Sequence, residues 1–415
     1  MSNQEIHRTT GTESRFFYGY IVVAASLLII LITYGIRTSF GVFFKPMINE
    51  FDWTRALISG AVTLSMAMQG LWGILMGRLN DKVGSRSVIT FCCFISGLGL
   101  LLMYLISSAW QLYLFYGVIV GIGMGGIFVA LFSTVTRWFV KHRGIMTGIV
   151  AAGIGAGTLL MAPVSDRLIS VYGWRVSYLV LGGVAMVIGM ITAQFLRRDP
   201  GQMGLVPYGA NENKGGNAAP FNIEGLSLRE TVSTRQFWMV AIVFFSLGYS
   251  IFAVTIHLVP HIIDLGISAT TAAVILAVSG GTQAAGGILL GGIADKVGNR
   301  RVFIMGFILI AAAMFWLLPI GSVWMFYLFA VVYGIGVSGG GIMEPIIVAE
   351  LFGIKSHGLI LGVVSFVFTV GGAVGPLVTG YLYDLNGNYQ TAFLLYAVLN
   401  ILAIIFASFL RPIQK

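Results

Sequence analysis

Asp81-Lys82-Val83-Gly84-Ser85-Arg86 and Asp295-Lys296-Val297-Gly298-Asn299-Arg300 are two copies of one polar stretch, set 214 residues apart along a chain of 415. Each interrupts long apolar sequence on both sides. In each the glycine permits a tight turn, while the acid and the base can bond the ends of neighbouring helices with charge assistance. Other glycines keep the same offset: Gly144 pairs with Gly358, Gly157 with Gly371 and Gly173 with Gly387. The chain is therefore a duplication, and each half carries the same punctuation.

Outward from these loops the apolar runs are long enough to define the fold class. About 20 apolar residues cross a bilayer, and lipid tolerates no irregular exposed backbone. Runs of that length fall at 18–44, 56–76, 88–107, 110–136, 144–170 and 174–195, then at 237–263, 271–294, 302–320, 323–348, 359–383 and 391–410. With 57% hydrophobic and 9% charged residues, the composition excludes an ordinary soluble globule. The 55 glycines suit close helix packing in a membrane, and no three-residue glycine period points to collagen. The expected fold is all-α integral membrane, with twelve transmembrane helices as two pseudo-symmetric six-helix bundles.

Twelve spans put both termini on one side, and charge decides which. Nineteen Lys and Arg residues fall on the side of the termini, four on the other (Lys45, Arg55, Arg167 and Arg175), and Arg37 lies inside the first span. Both termini are thus expected to be cytoplasmic. The reading divides the chain into a tail at 1–17, a six-helix bundle at 18–197, a linker at 198–235, a second bundle at 236–410 and a tail at 411–415. Ser227-Leu228-Arg229-Glu230 has capping-box spacing and predicts a short interfacial helix before the seventh span. No cleaved leader is expected before Tyr18, because the first apolar run is too long for a signal core. The net charge of +9 comes from short clusters between spans, which argues against nucleic acid as a partner. Cys92 and Cys93 are adjacent within an apolar run, so helix packing is expected of them rather than a disulfide or a metal knuckle.

The paired loops, preceded by Gly77 and Gly291, resemble the signature between helices 2–3 and 8–9 of the major facilitator superfamily. A narrower resemblance, to the monocarboxylate porter family and its bacterial oxalate-formate members, rests on Trp138-Phe-Val-Lys-His-Arg-Gly144 running into Thr147-Gly-Ile-Val-Ala-Ala-Gly-Ile-Gly-Ala-Gly157. Gly41-Val-Phe-Phe-Lys45, Phe51-Asp-Trp-Thr-Arg55, Tyr172-Gly-Trp-Arg175 and Asp199-Pro-Gly-Gln-Met-Gly-Leu-Val-Pro207 are also similar. The resemblance implies the major facilitator fold and transport of small carboxylates, with a proton or by exchange, in the cell inner membrane. Members that carry monocarboxylates hold an arginine in helix 8 about eight residues before the loop aspartate. Here that place is Gly287, and Gln283 is the strongly polar residue nearby.

Two parallel six-span halves set a substrate site near the midplane where they meet, with access alternating as they rock. Gly77, Asp81, Arg86, Gly291, Asp295 and Arg300 are the expected gating residues. Ionisable groups within spans are functional candidates because lipid penalises them. Arg37 can grip a carboxylate in place of the missing arginine; the other reading is a guanidinium snorkelling outward or paired internally. Glu344, beside Pro345 and after Gly339-Gly-Gly341, is either a proton-coupling site or half of a fixed ion pair. His257, His261 and Asp264 share a helical face that Pro260 is expected to interrupt. His257 is assigned to the path, for substrate or protons, and the other two to the rim; a metal site from this set is not expected. Tyr34, Tyr116, Gln283 and Tyr333 are candidate neutral hydrogen-bonding groups, with packing as the alternative.

These expectations describe a secondary carrier of a small organic anion that acts without cofactor or metal and as a monomer. Its partners are a small-molecule substrate, protons or a counter-substrate, and the lipid bilayer. A proton-driven exporter of hydrophobic or cationic compounds is the alternative, and a membrane transceptor is a third class. Nothing in the sequence has the pattern of an enzyme's catalytic group.

Overall fold

The computed structural model describes residues 17–210, 225–319 and 321–411. It is helical nearly throughout. The first half contains α1 (Gly19–Thr38), α2 (Phe44–Phe51), α3 (Arg55–Val83), α4 (Ser85–Leu102), α5 (Ala109–Leu112), α6 (Gly121–Trp138) and α7 (Arg143–Ala193). A short α8 (Leu228–Val232) lies within the stretch expected as the linker, and α9 (Arg235–Asp264), α10 (Ala269–Val297), α11 (Asn299–Leu317), α12 (Val323–Gly341), α13 (Glu344–Phe352), α14 (His357–Asn386) and α15 (Gln390–Phe409) complete the second half.

Among the described residues, eleven helical stretches are long and apolar enough to cross a membrane. The 51 residues of α7 would extend roughly 76 Å at 1.5 Å per residue, more than twice the ~30 Å hydrocarbon core. Gly173 breaks this helix with φ 80° and ψ 162°, so it supplies two crossings and the bundle has twelve. Gly387, its partner in the repeat, also has positive φ (67°) where α14 ends. Gly84 and Gly298, the glycines of the two polar loops, have φ 96° and 105°. There a single residue reverses α3 into α4 and α10 into α11, a conformation L side chains rarely adopt.

Side-chain oxygens start several helices by accepting otherwise orphaned amides: Thr54 from Leu57, Thr234 from Phe237 and Ser268 from Thr271, each at 3.2 Å. The capping box before α9 is present, with Ser227 N donating to Glu230 Oε2 (2.7 Å) and Glu230 N to Ser227 Oγ (3.3 Å). Pro260 does not interrupt α9, which continues to Asp264. It stands within the last two turns, where its missing N–H removes only one of the final bonds.

Within each half α1 packs on α7 and α9 on α14; between the halves α3 meets α14 and α7 meets α10. These two inter-half seams are built on glycine. A Cβ on Gly358 or Gly362 would lie 2.6 Å from the carbonyl oxygens of Gly77 and Gly73. Gly144 and Gly148 meet Gly291 and Gly287 in the same manner, as the duplication requires. Both seams lie toward the polar loops, the side termed here the basic face.

On the opposite face α2 docks beside the break in α7. Trp174 Nε1 donates to Glu50 Oε2 (2.7 Å), Arg175 pairs with the same carboxylate, and Arg175 Nη2 donates to the Ile106 carbonyl (2.7 Å). The Arg175 guanidinium lies 4.5 Å from the Trp174 ring centre and 5.4 Å from that of Phe51. Phe51-Asp-Trp and Tyr172-Gly-Trp-Arg175, distant in sequence, thus form one cluster. The Arg175 guanidinium holds the Glu50 carboxyl below its ordinary range, against a smaller upward effect of desolvation.

Candidate functional site

Between the halves lies a cavity of about 760 Å³. Its inner end is bounded by Gly73, Gly287 and Gly362 of the two seams, and its wall reaches Thr38, Leu159 and Val259 toward the opposite face. Most of the wall is apolar. Among the described residues Arg37 and Glu344 are its only charged side chains.

Arg37 projects from α1 one turn beyond Tyr34, so both reach the same wall. Its guanidinium donates to Gln69 Oε1 on α3, and Gln69 Nε2 donates to the Tyr34 hydroxyl at 3.1 Å. Because a guanidinium only donates, Gln69 must present its oxygen to Arg37, which aims its NH2 at Tyr34. No carboxylate stands within ion-pair distance of Arg37 among the described residues. A cation in a membrane cavity with only a neutral amide beside it is the arrangement an anionic ligand would complete.

Glu344 opens α13 after α12 stops at Gly341, and it is 5% exposed. The Ser365 hydroxyl of α14 donates to its Oε1. Gln283 on α10 lines the same cavity. The structure therefore brings Tyr34, Arg37, Gln283 and Glu344 to one cavity, together with Gln69 and Ser365, which sequence reasoning had not singled out.

Three other candidates stand elsewhere. Tyr116 occupies the π-helical segment 113–120, with its ring 4.2 Å from that of Phe40. It lies behind Arg37 in a water-sized void of about 10 Å³ rather than on the main cavity. The Tyr333 hydroxyl donates to the Ser250 carbonyl (3.2 Å), which ties α12 to α9 inside the second half. His257 is not among the residues that line the cavity: its Nε2 meets the Pro376 carbonyl at 3.1 Å and therefore donates, fastening α9 to α14. His261 packs among Phe326, Tyr389 and Phe393, and Asp264 accepts from the Tyr383 hydroxyl at 3.1 Å. No cluster of metal-ligating side chains occurs among the described residues.

The two polar loops act differently through their acids and their bases. Asp81 accepts from Gly358 N (3.0 Å) and Leu359 N (2.9 Å), the first amides of α14 in the other half. Asp295 accepts from Gly144 N (2.8 Å) and Ile145 N (3.0 Å), the first amides of α7. Each carboxylate thus caps a helix across the interface, where the helix dipole favours it. The arginines stay within their own halves: Arg86 Nε donates to Gln194 Oε1 (2.7 Å), and Arg300 bonds the Ala407 and Ser408 carbonyls. Asp81 has in addition an ion pair with Arg137 at 2.5 Å, for which the repeat has only Leu351 on the other side. The two carboxylate caps and the glycine seams join the halves on the basic face.

Residues 26–264 and 238–415 match the Major Facilitator Superfamily. The chain is 27% identical over 390 residues to a human protein named Monocarboxylate transporter 11, covering 91% of this chain and 80% of that one. It is 25% identical over 428 residues to the Oxalate:formate antiporter of Oxalobacter formigenes, covering 100% and 97%. Among solved structures, the proton:xylose symporter XylE superposes with a TM-score of 0.74 at 16% identity, covering 94% of this chain and 95% of that one. Two matches that together span nearly the whole sequence, on a duplicated bundle with a cavity between its halves, show that the chain belongs to the Major Facilitator Superfamily.

Proposed function

We propose that the protein is a secondary active transporter of a small organic anion, a mono- or dicarboxylate, working by alternating access. The observation that carries this reading is Arg37: a guanidinium without an acidic partner among the described residues, oriented by Gln69 on the wall of an inter-half cavity. Its remaining N–H groups match a carboxylate in bidentate geometry. Relatives named as monocarboxylate transporters and an oxalate:formate antiporter support the same substrate class. Glu344 across the cavity is the coupling group, taking up a proton for symport or yielding to exchange.

The excess of Lys and Arg on the basic face supports cytoplasmic termini and an inner-membrane location. With that orientation the closed basic face makes this conformation outward-facing. One chain supplies both halves of the cavity wall, which supports a monomeric unit. A second reading, export of hydrophobic compounds driven by protons at Glu344, is favoured by the predominantly apolar wall.

Thermal unfolding of the purified protein with formate, oxalate, lactate and pyruvate separates the two, since a ligand that binds only the native state raises the melting temperature. The anion reading expects stabilisation of wild type by at least one carboxylate and none for Arg37→Gln. Stabilisation by apolar cations alone would select the exporter reading.

A further inference from the structure

His357 is fully buried at the first position of α14, and both ring nitrogens are engaged. Nε2 lies 2.8 Å from the Pro345 carbonyl, the residue after Glu344, and Nδ1 lies 3.0 Å from Ser133 Oγ on α6 of the other half. A carbonyl can only accept, so Nε2 carries a proton, and in the neutral ring the Ser133 hydroxyl donates to Nδ1. Ser133 is one turn before Arg137 on α6, so the two share a face. Arg137 reaches Asp81, and Asp81 caps the two residues that follow His357. The start of α14 is thus held twice by the first half, once through its backbone amides and once through an imidazole.

The second hold has no counterpart in the repeat. At the offset of 214, Ser133 corresponds to Ile347 and His357 to Arg143, whose Nε donates to Phe139 O (2.8 Å) in its own half. Only the α3–α14 side carries the imidazole bridge, and that is also the side where Glu344 opens α13.

We propose that His357 is a positioning residue of the conformational cycle: its imidazole latches α14 to α6 while the basic face is closed, and it ties that latch to the turn that carries Glu344. When the basic face opens, the Ser133 bond breaks and water entering the gap replaces it. The bond to Pro345 lies inside the second half and survives. The proposal rests on alternating access, not on the identity of the substrate.

The test is labelling of a cysteine reporter, Ile145→Cys at the α7–α10 seam, by a membrane-impermeant maleimide from the basic side. Native Cys92 and Cys93 are buried and contribute no background. Ser133→Ala removes the inter-half bond alone. It should speed labelling about fivefold, the effect expected of one hydrogen bond of ordinary net strength. His357→Leu should do at least as much, and Ser133→Ala should add nothing to it. Thr134→Ala, whose hydroxyl bonds only Ala130 O in its own helix, should stay within about twofold of wild type. If His357→Leu does not fold, Ser133→Ala and His357→Gln carry the test. Wild-type labelling in Ser133→Ala, or equal acceleration by Thr134→Ala, would overturn the latch. Because labelling needs no substrate, a failure of the anion reading would leave this result untouched.

Discussion

Replacing each loop aspartate by asparagine should separate closure of the basic face from stability of the fold. Asp81 and Asp295 both cap a helix of the opposite half with two accepted bonds, one on each oxygen; asparagine keeps one acceptor, loses the charge and turns an NH2 toward the second amide. A hydrogen bond to a charged group is worth about 1.5–3 kcal/mol, so losing one of the two should favour the open state by roughly 10- to 100-fold in either variant. The stability effects should differ. Asp81 also neutralises Arg137, whose side chain is 3% exposed, and both partners belong to the first half. Breaking a buried pair from one side costs about 3–5 kcal/mol. Asp81→Asn should therefore lower the melting temperature markedly, and Asp295→Asn only slightly. Arg137→Leu added to Asp81→Asn should restore much of the loss, because leucine already occupies the equivalent place at 351. Maleimide labelling of Ile145→Cys reads the first effect and thermal unfolding the second. Equal melting temperatures for the two asparagine variants, or unchanged labelling in both, would refute the division of labour.

Two further outcomes are expected. Glu344→Gln should abolish accumulation driven by a proton gradient while leaving exchange of internal for external substrate within about twofold, as measured by uptake into proteoliposomes with and without internal substrate. Glu50→Gln should change stability only where Glu50 is charged. Its folded-state carboxyl is held below the usual 4.5 by Arg175, so its contribution is present above the unfolded value and is lost as pH falls through the folded one. The melting-temperature difference between wild type and Glu50→Gln should be constant from about pH 8 to about pH 5 and should shrink below pH 4.5.

How much of this was legible in the sequence depended on what kind of signal each feature leaves. The spans follow from run length, and the turns at Gly84 and Gly298 from the repeated loop, because bilayer thickness and positive φ constrain sequence directly. Charge inside a span singled out Arg37 and Glu344, and both line the cavity. The face of a helix was harder to read. In a soluble protein polarity marks the exposed side, but here lipid, packing and cavity faces are all apolar, so periodicity did not separate Tyr34 from Tyr116 or Tyr333. His257 was assigned to the path on its chemistry, yet the bond to Pro376 turns it toward α14. Gln69 did leave a signal, the lone side-chain amide of its span, which is the same signal that marks Gln283. His357 left less. It stands at a helix start beside Gly358, and only the fold shows that Ser133, 224 residues earlier, is its partner.

The most direct test of the account is transport itself. Purified protein in liposomes should take up a small carboxylate with saturation, and Arg37→Gln should do so far less efficiently. Loss of two charge-assisted bonds, about 3 kcal/mol together, corresponds to a drop of roughly 100-fold in the ratio of rate to half-saturation concentration. Uptake of no carboxylate by wild type, or equal uptake by Arg37→Gln, would contradict the central claim that this guanidinium recognises an organic anion between the two halves.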